Sequence, residues 1–388
     1  MMSTRHRLPA ALIAACSLVP PVASAQEYPS KPIRMIVPCA PGGHAGSRRR
    51  FRFWGGDGVR PSGGWHRMWR RVAMALIAAC SLVPPVASGQ EYPSKPIRMI
   101  VPFAPGGGTD IVARTLAQKM TEQFRQTVIV DNRAGGGGTI GVETAVRATP
   151  DGYTVIMMSG SYATNAAMFK TSFDPANDIL PMALVGDTAF IIVLHPGVPI
   201  RSVAELVAHS KARPGAINYA SSGTGGIAHL SGELFDLLAG TKMTHIAYKG
   251  TGPAMNDLLG GQVQLLFGSA PSTVPLVKAN RLRALAVTTL KRMSALPELP
   301  TIDEAGVKGY EVVLWYGVLG PRGLSKPVVE RWNSGVRRAT KLPDLRERLL
   351  SEGFAIDDSP PEVFQALLRR DVAKWQKVVK DAKIPPIQ

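Results

Sequence analysis

The sequence predicts an α/β protein of two lobes, with mostly parallel sheets flanked by helices. Three observations carry this expectation. From Pro96 onward, short apolar runs alternate with stretches of helical periodicity, the pattern of parallel strands joined by crossover helices. The chain has 388 residues, past the size at which a single hydrophobic core stops growing, so it is expected to divide in two. Its 45% hydrophobic and 19% charged residues are those of an ordinary globular protein, and a disordered chain is not expected.

The front of the chain stands apart. Ala11–Gly43 and Ala75–Gly107 are the same string at an offset of 64, differing only at Ala25/Gly89 and Cys39/Phe103. Structural repeats diverge and recur several times because each stacks on a neighbour; this one occurs twice and stops. Residues 1–67 are therefore expected to be a duplicated or mis-started leader rather than a domain. Residues 68–89 read as a signal peptide: Met68-Trp69-Arg70-Arg71 is the basic start, Val72 to Val83 the apolar stretch, and Ala87-Ser88-Gly89 the cleavage site. That stretch is about half of the roughly 20 residues a spanning helix needs. A lipoprotein-like box ends at Cys80, and tethering there is the lesser alternative to free release.

Charge follows the same division. Residues 1–90 hold 12 basic and 2 acidic side chains, +10 of the formal +17, which leaves 17 − 10 = +7 for the rest. That modest excess has no dense Lys/Arg stripe and suits a small anion, so no nucleic-acid partner is expected. All three cysteines, Cys16, Cys39 and Cys80, lie in the front section. The body has no thiol nucleophile, disulfide or thiolate metal site, and neither metal nor cofactor is expected.

The expected strands are Ile97–Val101, Val128–Val130, Tyr153–Met158, Phe190–Leu194, Ile217–Ala220, Thr244–Tyr248, Val263–Phe267 and Ala284–Thr288. A helix over Asp110–Phe124 places Val112, Leu116, Met120 and Phe124 on one stripe. Further helices are expected over Thr139–Arg147, Val203–Lys211, Ile227–Leu238 and Pro253–Leu259. The C-terminal part is more helical, with Lys326–Thr340 and Pro361–Asp381, the latter opened by Ser359 as N-cap.

Three glycine-rich turns follow strands and precede helices. They are Phe103-Ala104-Pro105-Gly106-Gly107-Gly108-Thr109-Asp110, Ser221-Ser222-Gly223-Thr224-Gly225-Gly226, and Tyr248-Lys249-Gly250-Thr251-Gly252-Pro253. Tight turns of this kind aim main-chain N–H groups and the positive end of a helix dipole at one spot, which makes an anion cradle. Glycines also serve tight packing, but three such turns of matching chemistry favour a ligand site.

These residues resemble the Bug family, the substrate-binding proteins of tripartite tricarboxylate transporters. The resemblance rests on Tyr92-Pro93-Ser94-Lys95-Pro96-Ile97-Arg98, the first cradle, Asp131-Asn132-Arg133 with Gly135–Gly138, and Pro150-Asp151-Gly152-Tyr153. It rests also on Ser222-Gly223-Thr224-Gly225 with His229, Tyr248-Lys249-Gly250, Leu285-Ala286-Val287-Thr288 and Trp315-Tyr316-Gly317, in that order over about residues 91–388. It implies a monomeric periplasmic-binding-protein type II fold, a Venus flytrap, with lobe 1 over 91–192 plus 313–388 and lobe 2 over 193–312. The chain would cross between them near Leu194 and Val313. It also implies a periplasmic location, a small mono-, di- or tricarboxylate or amino acid as ligand, and a membrane permease as partner.

The expected ligand contacts are Phe103, Pro105, Gly106, Gly107, Gly108, Thr109 and Asp110 from the first cradle and Ser222, Gly223, Thr224, Gly225 and His229 from the second. Tyr248 and Lys249 come from the third turn, with Ser159 and Ser161 as cleft lining. Each has a plainer reading. Asp110 suits the first turn of any helix, His229 suits packing at a helix start, Ser222 and Thr224 suit capping, and Lys249 suits solvent. Gly135–Gly138 is read as shaping a turn. An Asp110 facing the cleft would favour a ligand ammonium, whereas Gly268, where relatives of this pattern carry an acid, would disfavour one.

Two rival classes remain. Gly223-Thr224-Gly225-Gly226-Ile227-Ala228 partly matches a dinucleotide fingerprint, but Thr244–Lys249 supplies no ribose-binding acid, so only an NADP enzyme survives, weakly. A ligand sensor for a membrane signalling partner shares all of these features.

Overall fold

The computed structural model describes residues 91–381, 384–385 and 387. The duplicated leader, the signal peptide, Cys80 and the expected cleavage site lie outside the described residues. Two sheets organise the body of the chain. The first takes β1 (Ile97–Val101), β2 (Val128–Asn132), β3 (Thr154–Ser159), β4 (Ile179–Thr188), β10 (Leu314–Pro321) and β11 (Ala355–Ile356). The second takes β5 (Phe190–Leu194), β6 (Asn218–Ser221), β7 (Thr244–Ala247), β8 (Leu265–Ser269) and β9 (Arg283–Val287).

Helices connect them: α1 (Gly108–Phe124), α2 (Thr139–Val146), α3 (Ser161–Met168), α4 (Val203–Ala212), α5 (Ile227–Ala239), α6 (Thr251–Leu259) and α7 (Ala270–Lys278). Three more, α8 (Lys326–Ala339), α9 (Pro343–Ser351) and α10 (Pro361–Asp381), come after β10. In α1 the expected stripe of Val112, Leu116, Met120 and Phe124 is buried. α4 shows local capping: Ser202 Oγ accepts from Glu205 N–H, and Glu205 Oε2 accepts from Arg201 N–H at 2.7 Å. α10 buries Phe364, Leu368, Val372, Trp375 and Val379 at helical spacing. None of the described helices is long and apolar enough to cross a membrane.

The two sheets have one plan. The strand order β2-β1-β3-β10-β4 in the first is matched by β7-β6-β8-β5-β9 in the second. In each, three strands run parallel, and the fourth arrives from the far side of the chain crossover and runs antiparallel to both neighbours. β10 is antiparallel to β3 and β4, and β5 to β8 and β9. The two-lobed α/β architecture is as the sequence predicts. So are the mostly parallel sheets: β1–β4 run one way against β10 and β11 in the first, and β6–β9 run one way against β5 in the second, the antiparallel pairings of β10 and β5 arising where each sheet accepts a strand returning from the other. The crossover expected near Leu194 is displaced, since Phe190 to Leu194 pairs entirely within the second sheet and the chain passes over at Ala189.

Thr288, fully buried, ties the two crossing segments together. Its N–H donates to Phe190 O at 3.0 Å, and its hydroxyl accepts from Phe190 N–H at 2.9 Å and donates to Val312 O at 2.8 Å. Val312 N–H donates back to Thr288 O at 2.9 Å. Replacing the hydroxyl by a methyl group in Thr288→Val leaves a buried donor and a buried acceptor stranded, at about 1–3 kcal/mol each. Urea denaturation should show the loss, and Thr288→Ser should recover most of it.

Candidate functional site

The first turns of five helices meet where the two sheets face each other. Gly107, Gly108 and Thr109 open α1, Ser161 opens α3, Ile227 opens α5, Thr251 opens α6, and Ser269 precedes α7. All seven residues line one cavity. Unpaired N–H groups and aligned peptide dipoles make each such end partially positive, so together they favour an anion. Hydroxyls from Ser159, Ser222 and Tyr316 complete the polar wall, and Phe103, Phe190 and Leu314 supply an apolar one. Burial pushes the Tyr316 phenol up, so it stays a protonated donor. No charged side chain lines this cavity. Its free volume is about 20 Å³, room for little more than one water.

That tightness has a sequence cause. A side-chain carbon on Gly108 would collide with Ser269 Oγ and the Tyr316 hydroxyl, and one on Gly252 would overlap Pro105 O. Ala104 N–H donates to Lys249 O at 2.9 Å, and Ile227 N–H to Ser161 Oγ at 3.3 Å. The first and third cradles thus touch main chain to main chain across the cleft.

Of the expected contacts, Phe103, Gly107, Gly108, Thr109, Ser159, Ser161 and Ser222 line the cavity. Pro105, Gly106, Asp110, Gly225 and His229 do not; they brace the loops that do. Asp110 Oδ2 accepts from Gly106 N–H at 3.1 Å and Arg114 Nε at 2.9 Å, and Oδ1 accepts from Asn132 Nδ2 at 2.9 Å. Burial alone would raise its pKa, but the bonds from Arg114, Asn132 and Gly106 together hold it below the usual carboxylate range. Its charge is consumed within the first cradle. The Gly268 argument falls as well: Gly268 is absent from the cavity lining, and a side chain there would meet Thr273.

His229 does the same for the second cradle. Its Nδ1 accepts from Gly225 N–H at 3.2 Å, and its ring stacks on His245 at 4.0 Å between centroids. His245 Nε2 hydrogen-bonds Ser221 Oγ at 2.6 Å, and Ser221 Oγ accepts from Gly223 N–H at 3.1 Å. Glu233 Oε1 lies 3.6 Å from His229 Nε2. Burial lowers His229 to about 4; burial, then the neighbouring His229, lowers His245 to about 3.

The remaining expected contacts, Gly223, Thr224, Tyr248 and Lys249, line a second cavity of about 340 Å³, together with Gly135–Gly137 and Ser222. Tyr248 donates its hydroxyl to Asp257 Oδ2 at 2.6 Å; burial and that bond push its pKa up to about 12. Larger cavities of about 470 and 550 Å³ lie at the crossover segments around Asp187, Glu311 and Val313. Their charges are of both signs, with Lys374 pairing to Glu311 at 3.8 Å, and no helix start converges there, so they are weaker candidates. Sequence reasoning missed Phe190, Ile227, Thr251, Ser269, Leu314 and Tyr316 as cavity lining. Thr251 stands inside the third glycine turn and Tyr316 inside the Trp315-Tyr316-Gly317 motif, so those two had a signal.

Two histidines held neutral below their ordinary pKa of 6.5 contribute stability that is complete above pH 6.5 and is lost as pH falls towards about 4 and 3. Each can cost up to about 1.4 kcal/mol per pH unit over that window. Denaturation profiles between pH 7.5 and 4.5 should therefore be shallower for a His229→Gln, His245→Gln double variant than for the wild type. Parallel profiles would rule out the histidine stack as the acid-sensitive element.

Comparison with known proteins identifies the family. Residues 112–384 match the Tripartite tricarboxylate transporter family receptor. The chain is 33% identical over 309 residues to Protein BugT of Bordetella pertussis, covering 79% of this chain and 94% of that one. The structure of the periplasmic binding protein BugD shares 37% identity over 76% of this chain and 99% of its own, at a TM-score of 0.73. The structure of R. palustris Rpa4515 with adipate shares 35% identity over 76% of this chain and all of its own, at a TM-score of 0.74. The chain belongs to the tripartite tricarboxylate transporter receptor family, the Bug proteins.

Proposed function

We propose that this receptor works in the periplasm, captures a small carboxylate between its two lobes, and hands it to a tripartite tricarboxylate-type permease. The observation that carries the reading is the cavity wall: five helix starts and a set of buried hydroxyls, with no ionised side chain. Neutral donors fixed in place suit a carboxylate, whose charge they solvate without a counter-ion. No acid is present to meet an ammonium group, so a plain carboxylate fits better than an amino acid. We assign the first sheet with α8–α10 to one lobe and the segment from Ala189 to Val312 to the other.

Each charge-assisted bond contributes about 1.5–3 kcal/mol. Four or five of them, with some apolar burial, offset immobilisation and leave near the roughly 8 kcal/mol of micromolar binding. Donors from both lobes reach the ligand only when the lobes close, so ligand binding favours the closed form. The tight cavity requires that they open to admit it. No bond in the ligand is made or broken.

A thermal-shift screen of the purified protein against mono-, di- and tricarboxylates, amino acids and NADP tests this. A binder at a hundredfold excess over Kd stabilises by about 2.7 kcal/mol. Carboxylates should register and NADP should not; stabilisation by NADP alone would contradict the reading. Gly107→Asp places a second carboxylate beside Thr251, which a side-chain carbon at 107 would approach to 3.3 Å. Calorimetry should find carboxylate affinity reduced at least about tenfold, a change of about 1.4 kcal/mol.

A further inference from the structure

The segments that cross between the two sheets have two sides. On one of them Phe190 lines the central cavity and Ala189 a cavity of about 470 Å³; on the other Leu314 lines the central cavity and Val313 the larger one. Neighbouring side chains of an extended chain point to opposite faces, so the larger cavity lies behind the crossing segments, away from the cleft. A further cavity of about 500 Å³ continues it, and Ser294 lines both. Resting on the two-lobe reading above, we propose that this rear groove is a counter-interface: it narrows when the cleft opens, buries apolar side chains as it does so, and thereby holds the ligand-free receptor open.

The groove has one wall from each lobe. Residues 289–295 form the first, and α9 with Gly353, Phe354 and Ala355 forms the second. The walls meet beside the crossing segments. There Thr188 Oγ1 donates to Gly353 O at 2.8 Å, and Met293 packs so closely on Gly353 that a side-chain carbon at 353 would overlap its sulfur. Beyond that contact the walls part. Rotation of one lobe against the other about the crossing segments moves the two sides in opposite senses, so a widening cleft means a narrowing groove.

Both sides are in the state this predicts for a shut receptor. The central cavity is down to about 20 Å³ while the rear cavities stand open. Apolar side chains left in water mark the open side: Leu290 is 54% exposed on one wall and Leu350 40% exposed on the other, with the exposed Leu342 just before α9. Each gains by burial when the opposite wall approaches. That gain belongs to the open form and is subtracted from ligand binding, because the apparent Kd is the intrinsic one divided by the fraction of receptor able to close.

Small-angle X-ray scattering, and calorimetry with adipate, malate and citrate, test this on the wild type and two variants. Ser294→Trp wedges the groove, and the double variant Leu290→Asn, Leu350→Asn removes the burial without adding charge. All three positions are exposed, and none lines the central cavity. Without ligand, the wild type should have the larger radius of gyration of an open receptor, and both variants should shift towards the compact value. Both should bind carboxylate at least about fivefold more tightly, a gain that misfolding does not produce. A ligand-free radius unchanged in the variants, or no tightening for a carboxylate that the wild type binds, would overturn the counter-interface. Compaction of the ligand-free variants with none of the three carboxylates bound by any form would support it and remove the carboxylate reading instead.

Discussion

The close approach of main chain to main chain across the cleft is the constraint on which the rest depends. Gly252 sits against Pro105 O and Gly137 against Thr224 O, each at a distance that leaves no space for a side-chain carbon, and Gly108 is packed as closely against the Ser269 and Tyr316 hydroxyls. Only loops stripped of side chains bring N–H groups from both sheets within reach of one small ligand. The cost is conformational freedom in the unfolded chain, and the fold offsets it by bracing each loop from behind.

The bracing explains where the ionisable groups have gone. Asp110, Arg114 and Asn132 lock the first cradle, and Asn132 Nδ2 also donates to Phe103 O at 2.9 Å. His229, His245 and Ser221 lock the second. Charge and titratable chemistry thus sit one layer behind the lining, where they hold the donors in place, and the surface offered to the ligand is neutral. A preorganised neutral wall does not have to give up salt bridges when a ligand arrives, and its donors lose little further entropy.

Much of this is legible in the sequence, and the failures have physical reasons. Strand Phe190–Leu194 is an unbroken apolar run and Ile97–Val101 is interrupted only by Arg98, and the expected bounds match the observed ones. The strands β4 and β10 escape sequence reasoning because Pro181, Gly186, Gly317 and Gly320 interrupt them, residues that ordinarily argue against a strand interior. Gly317 is there because a side-chain carbon would strike the Phe364 ring, a tertiary demand with no local trace. At the site, the glycine turns announce themselves, whereas Phe190, Leu314 and Ile227 look like any core residue until the fold turns them to the cleft. Asp110 is visible as a helix-opening acid, but the partners that consume its charge come together only in three dimensions: Asn132 lies on another element, and Arg114 one helical turn away.

The central claim is that neutral donors from both lobes jointly hold one carboxylate, and a crystal structure of the protein with a bound carboxylate tests it most directly. The account predicts carboxylate oxygens about 2.7–3.1 Å from main-chain N–H groups at residues 107–109 and from hydroxyls of the second sheet's loops at the same time. A ligand resting on one lobe only, or gripped at its head group by an arginine or lysine side chain, would contradict it.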